Sequence, residues 1–348
     1  MAFNNNKGEI KFPYEIKFLD DETNKIMLSN FKGEKTGYVQ VGPNKWIFPS
    51  MFVESADYFY NFQSRPDDVW VCTYPRSGTT WTQELVWLIC NNLNYKKAQK
   101  VPLTQRFPFF EFHIHMHKDT KAEFLEENKH NPDHCQLIED ISVPCYEILD
   151  KIAGPRYIKT HLPLSLLPPS VFANKSKIIY VARNPKDVSV SWYHLNRLYR
   201  TQGYTGDFEN FYNLFENDLT DWSPYWTHIK EGWNNRNAEN ILFMFYEDMN
   251  HDFHKTIQKV SEFLGKPVTD DYIPELADYL NIKNFKNYPT VNCQELRDVG
   301  ILKSGEQGFV RNGKTGGHKE ELTPEILQRI NEWTRKNLQN TDLRFPQY

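Results

Sequence analysis

The sequence predicts an α/β protein: a central, mostly parallel sheet flanked by helices, with a P-loop-like turn where one strand meets its helix. Three observations carry this prediction. Short apolar runs recur without the alternation of a half-exposed strand. Most are followed by a segment with apolar residues at helical spacing, and strands that alternate with helices imply a parallel sheet covered on both faces. Two of the strand-to-helix junctions hold residues suited to anions. The 348 residues contain no repeat, no low-complexity tract and no Gly/Ser linker, so residues 1–348 read as a single domain.

Taken in order, "DVWVCTY" (68–74) is a short buried strand, and "TTWTQELVWLICNNL" is the helix after it, with Trp81, Leu85, Leu88 and Ile89 on one side. Residues 113–150 are more polar and read as an insertion or lid. Residues 157–161 form a strand, and "KIIYVA" (177–182) forms another, followed by a helix from Pro185. "NILFMFYEDM" (240–249) is a further strand, and the next helix is closed by Gly265. Residues 310–320 belong to a Gly-rich, basic stretch that reads as a mobile loop.

Composition excludes several classes. Lys and Arg total 41 against 45 Asp and Glu, a net charge of −4, so no basic footprint for nucleic acid is present. No apolar run approaches the roughly 20 residues that span a bilayer. The first fifteen residues lack the apolar stretch of a signal peptide, and no membrane partner is expected. The five cysteines, Cys72, Cys90, Cys135, Cys145 and Cys293, are odd in number and contain no Cys-x-x-Cys, as in free thiols of a reducing cytoplasm.

The chemistry concentrates at three places. "TYPRSGTTW" (73–81) departs from the Walker loop, because Thr73 stands where its first Gly belongs and Arg76 precedes Gly78 instead of a Lys following it. A helix start after a Gly turn still offers free N–H groups and the positive dipole end to an anion. Ser77, Thr79 and Thr80 add hydroxyls, and Thr80-x-x-Gln83 fits a capping box. An ordinary capped turn is the plain alternative. At the second junction, "YVARNPKDVSVS", Asn184 suits an N-cap, Pro185 the first helical position and Asp187 the first turn. Arg183 ends the strand and Ser191 lies two turns into the helix; a surface ion pair is the plain alternative for Arg183. Two such junctions on the carboxyl edge of one sheet suit a ligand with phosphate groups at two separated places. In the third place, "RYIKTHLPLSLLPP" (156–169), Lys159 and His161 share a strand face. The ammonium disfavours imidazolium and keeps His161 able to accept a proton, with a packed structural histidine as the alternative.

These residues resemble the cytosolic sulfotransferases. "TYPRSGTTW" is similar to their 5′-phosphosulfate loop, with Arg76 where Lys is usual, "YVARNPKDVSVSWYH" to their 3′-phosphate motif and "KTHLPLSLLP" to the segment with the catalytic histidine. "FMFYEDM" resembles their adenine-side strand, and the resemblance runs from "FPYE" (12–15) onward. The segment after 112, "RSGTTWTQELVWLI" and "NTDLRFP" resemble insect members, including the retinol dehydratase branch.

The resemblance implies a sulfotransferase using 3′-phosphoadenosine 5′-phosphosulfate (PAPS), releasing adenosine 3′,5′-bisphosphate (PAP) and needing no metal. Arg76, Ser77, Gly78, Thr79 and Thr80 would cradle the 5′ side while Trp81 stacks on adenine. Arg183 and Ser191 would hold the 3′-phosphate together with the 309–313 segment: Phe309, Val310, Arg311, Asn312 and Gly313. Tyr246, Leu280, Asn281 and Ile282 would border the adenine. His161 would be the base, with Arg76 and Lys159 stabilising charge on the sulfuryl group. Phe109, Phe112, Lys159, His161 and Leu195 would meet a small hydrophobic acceptor bearing a hydroxyl.

The late loop "RNGKTGGHK" (311–319) departs from the family's Arg-Lys-Gly-x-x-Gly-Asp-Trp-Lys at Asn312 and at Gly317–His318. The family's dimer motif is degenerate in "KEELTPEILQ" (319–328), so a homodimer is only weakly implied, and its perfect match at Lys286–Glu295 lies in the wrong place. His113, His115 and His117 alternate as if on one strand face, but no fourth ligand has metal-motif spacing. Alternatives to an alcohol or phenol sulfotransferase are a sulfation-driven dehydratase of an allylic alcohol, a nucleotide kinase and a non-catalytic binder.

Overall fold

The structure, a computed structural model, describes residues 10–311 and 313–348. Near its start lies a small antiparallel sheet that the sequence reading misses: β1 (Ile16–Phe18), β2 (Tyr38–Val41) and β3 (Trp46–Pro49), in that spatial order. Its strands have only three or four residues, too short for a periodic signal. Val39, Ile47 and Phe48 bury against the main core.

The main sheet contains β4 (Val69–Thr73), β5 (Tyr157–Thr160), β6 (Lys177–Ala182) and β7 (Ile241–Phe245). All pairings are parallel and the spatial order is β5-β4-β6-β7. Every residue of β4 and β7 is buried, which is why neither alternates in sequence. Successive β4 side chains enter opposite layers: Trp70 and Cys72 join one core, Val69 and Val71 the other. The helices Thr79–Cys90 and Phe253–Leu264 pack in the second layer. At the edge, β5 does alternate, with Ile158 and Thr160 buried and Tyr157 and Lys159 only partly so.

Parallel strands deliver all their carboxyl ends to one edge. Arg76, His161, Arg183 and Tyr246 follow β4, β5, β6 and β7 there, on the edge where open α/β sheets bind ligands.

Several expectations need correction. The last strand ends at Phe245, and residues Tyr246–His251 are already helix. His113 and His115 sit on a 3-10 turn, Phe112–His115, instead of a strand, and the three histidines have separate partners. His113 Nε2 meets Ser55 Oγ at 2.9 Å, His115 lies beside Asp221, and His117 Nδ1 caps the helix Lys118–Glu127. That helix, Pro132–Ser142 and Cys145–Leu149 make up the rest of the 113–150 segment. Among the described residues no helix is long and apolar enough to cross a membrane, and all five cysteines are free.

Candidate active site

After β4 the chain turns with Arg76 at φ +68° and Gly78 at φ +96°, both left-handed. Gly78, and not Thr80, is the N-cap of Thr79–Cys90, and no side chain caps it. The capping box is therefore absent: Thr80 is inside the helix, and Gln83 Nε2 donates instead to the Phe107 carbonyl at 3.2 Å. Among the described residues, no protein acceptor takes the N–H groups of Gly78, Thr79, Thr80 or Trp81. Those are the unpaired donors of a helix start. A Cβ at Gly78 would lie 2.6 Å from the Tyr246 ring, so the turn is closed to other residues.

At the second junction Asn184 caps the helix Pro185–Leu198, accepting from Lys186 N. The Arg183 guanidinium lies 4.2 Å over the Tyr246 ring, donates to the carbonyls of Arg76 and Lys314, and keeps its Nε buried without a partner. The Arg76 side chain crosses to this side. Its Nε donates to Ser191 Oγ at 2.8 Å and its Nη2 to the Phe309 carbonyl at 3.0 Å. Burial, then the charges of Arg311 and Arg183, lowers the Arg76 guanidinium from its ordinary value. Like charges held this close, with one orphaned donor, describe a site made for a polyanion.

The late loop closes the other wall. Arg311 is held by Glu321 at 2.9 Å, and the Asp187 carboxylate accepts Gly316 N and His318 Nδ1, each at 2.8 Å. His318 thus anchors the loop where the family pattern has Trp. Asn312 lies outside the described residues.

A cavity of about 440 Å³ unites these parts. Every described residue expected at the nucleotide borders it except Ser77, whose side chain is sealed inside. Trp81 borders it with one ring face stacked on Phe253 at 4.3 Å, its Nε1 donating to the Leu280 carbonyl.

His161 stands at the inner end, 6% exposed. Its Nδ1 is 2.8 Å from the main-chain oxygen of Thr73. A carbonyl only accepts, so the proton sits on Nδ1 and Nε2 carries the lone pair. Burial, then the neighbouring Lys159, holds the imidazole well below its ordinary pKa. Lys159, with Nζ 3.9 Å over the Phe109 ring, is itself lowered by burial to about 8. Phe109 and Trp222 flank the imidazole edge-on at 5.1 and 5.2 Å.

A second cavity, about 320 Å³, adjoins the first and shares Thr80, Lys159 and Phe309 with it. Phe109 and Phe112 line it, under a cover supplied by Leu137, Ile141 and Ile148. Leu195, expected beside them, lines the first cavity instead, because it is four residues beyond Ser191 on the same helix face.

A sequence model described as the sulfotransferase domain matches residues 66–342. The chain belongs to the sulfotransferase family. Luciferin sulfotransferase of Photinus pyralis is 35% identical over 306 residues, covering 86% of this chain and 80% of that one. Sulfotransferase 1C2 of Homo sapiens is 31% identical over 293 residues, 84% and 90% of the two chains. Retinol dehydratase, solved with androsterone and the inactive cofactor PAP, superposes with a TM-score of 0.90 at 36% identity, covering 97% of this chain and 99% of that one.

In this sulfotransferase the sequence reading missed Glu111. Fully buried, its carboxylate accepts His161 N at 2.7 Å, Thr160 Oγ1 at 2.9 Å and Trp222 Nε1 at 3.1 Å. Burial pushes it up to about 7. An acid set inside the aromatic run "FPFFEF" was the available signal. Thr73 was missed as well; its role depends on a main-chain oxygen, which no residue type announces.

Proposed function

We propose that this sulfotransferase moves the sulfuryl group of PAPS to the hydroxyl of a small apolar alcohol or phenol, with His161 as the general base. The observation that carries the reading is the His161 Nδ1–Thr73 contact, which leaves Nε2 as the acceptor beside Lys159. The free N–H groups of Gly78 to Trp81, with the hydroxyls of Thr79 and Thr80, suit the 5′-phosphosulfate. Arg183, Ser191, Arg311 and Gly313 suit the 3′-phosphate. Trp81, Tyr246, Leu280, Asn281 and Ile282 suit the adenine. Retinol dehydratase structures hold PAP, with androsterone in one and retinol in another, and they support an apolar acceptor in the second cavity here.

His161 Nε2 takes the acceptor's hydroxyl proton as that oxygen bonds to sulfur. The bond from sulfur to the bridging phosphate oxygen breaks, and PAP leaves with the electron pair. Lys159 and the free N–H groups of Gly78 to Trp81 stabilise the charge that grows on the sulfuryl and phosphate oxygens, whereas Arg76, expected there, is drawn to Ser191 on the 3′-phosphate side. The helices of residues 118–149 act as a lid over the acceptor, the 310–320 loop closes over the nucleotide, and the whole chain works as one domain. Five free thiols and family membership favour the cytoplasm.

A second reading, elimination of sulfate from a sulfated allylic alcohol to leave a dehydrated polyene, is favoured by the likeness to retinol dehydratase. Both readings share the donor site, and the product formed from retinol and PAPS separates them. The base assignment is tested by His161→Ala. PAP affinity should persist, while turnover falls about 10²-fold or more. Near-normal turnover at saturating acceptor would return His161 to a packing role. Heat protection by ATP as strong as that by PAP would favour a nucleotide kinase.

A further inference from the structure

The second cavity is largely apolar, and among its few polar side chains Gln83 has an amide of fixed orientation. Gln83 is 4% exposed and lines this cavity. Its Nε2 donates to the Phe107 carbonyl at 3.2 Å, and an oxygen that only accepts settles which end of the amide points there. Oε1 has no partner among the described residues and is not among the sealed polar atoms, so it opens on the cavity. Tyr199, on the same wall, has only the Cys293 sulfur at 3.9 Å as partner for its hydroxyl. An apolar acceptor filling this space would strip water from the Gln83 oxygen and leave it unpaired, which is unfavourable.

We propose that Gln83 is a specificity-determining residue, selecting acceptors with a second hydrogen-bond donor, a hydroxyl or N–H, in addition to the reacting hydroxyl. The inference rests on the sulfuryl-transfer reading above. Helix geometry sets the scale. Thr80 borders both cavities, and Gln83 lies three residues further, about 4.5 Å along the helix axis at 1.5 Å per residue. The second donor therefore sits close to the reacting hydroxyl, as in a dihydroxyarene or a short diol. It is not an acid. Lys159, at the sulfuryl end, is the cavity's one basic lining residue among those described, while Asp140 and Glu295 line it elsewhere.

The test uses matched pairs: dihydroxybenzenes and their monomethyl ethers, which keep the reacting hydroxyl and lose the second donor. The full-length enzyme is assayed with PAPS, and kcat/KM is compared within each pair for wild type, Gln83→Leu and the length-matched Gln83→Met. Wild type should prefer the dihydroxy compound by about tenfold or more, since sites built to bond a hydroxyl reject analogues without it. Both variants should bring the ratio to within about threefold of unity. PAP-induced thermal stabilisation, read on each variant, reports that it folds. A wild-type ratio near one, or a ratio unchanged in either folded variant, overturns the proposal while leaving sulfuryl transfer intact. Absence of transfer to every acceptor would overturn the sulfuryl-transfer reading itself.

Discussion

The carboxylate of Glu111 holds the main-chain N–H of His161 at 2.7 Å, and so fixes the strand end that presents the imidazole. The same carboxylate accepts from Thr160 and Trp222. Glu111→Ala strands three buried donors and should lower stability by roughly 2–4 kcal/mol in chemical denaturation. Glu111→Gln keeps the shape but exchanges an acceptor for a donor. It should lower kcat about tenfold with little change in PAP affinity, since the group acts through His161. Equal kcat in wild type and Glu111→Gln would remove Glu111 from the positioning of the base.

Lys159, as a stabiliser of the transferred group, should give the reaction an alkaline limit. Burial lowers its ammonium to about 8, so the charge is present below that pH and is lost as pH rises through it. His161, held well below its ordinary value by burial and by Lys159, is already a free base at pH 6.5. The kcat profile should fall about tenfold between pH 7.5 and pH 9, and a loss on the acid side belongs to Glu111, which burial pushes up to about 7. Lys159→Arg should move that fall upward at some cost in absolute rate. An acid limb centred near pH 6.5 that persists in Glu111→Gln would mark an unperturbed imidazole.

Arg183 offers a buried, unpaired Nε beside the Tyr246 ring. Arg183→Ala should weaken PAP by roughly 1.5–3 kcal/mol, about 10- to 150-fold, by calorimetry. Lys should not restore the loss, because a point charge cannot replace a planar fork. Acceptor KM should hardly change at saturating PAPS.

Gly78→Ala tests the turn. With φ at +96° and Tyr246 only 2.6 Å from the new carbon, the variant must open the loop. A loss of about 1–3 kcal/mol is expected, together with loss of thermal stabilisation by PAP. Full PAP protection in the alanine variant would show that the turn tolerates a side chain.

What the sequence displayed was local. The runs at 69–72 and 178–182 are apolar end to end because both faces of the sheet are covered, and the anion-suited residues stand just beyond them. Asn184 and Pro185 announced their helix correctly. Thr80 and Gln83 misled because a left-handed Gly78 took the cap position first. Alternation in His113, His115 and His117 imitated a strand because a 3-10 turn there also buries His113 and His115. The rest was hidden by distance along the chain. Thr73 lies 88 residues from the imidazole it orients, and Glu111 lies 50 residues from the N–H it accepts.

The spatial order β5-β4-β6-β7 also decides when the nucleotide site can exist. Its groups arrive from Arg76, then Arg183, then Tyr246, then Arg311, so the pocket is assembled only after nearly the entire chain has paired. Such long-range pairing is slow to form. A chain that stops before β7 lacks Tyr246 and Arg311, and one that stops between β7 and Arg311 completes the sheet but lacks the last wall, so full-strength nucleotide binding needs both the sheet and the late loop.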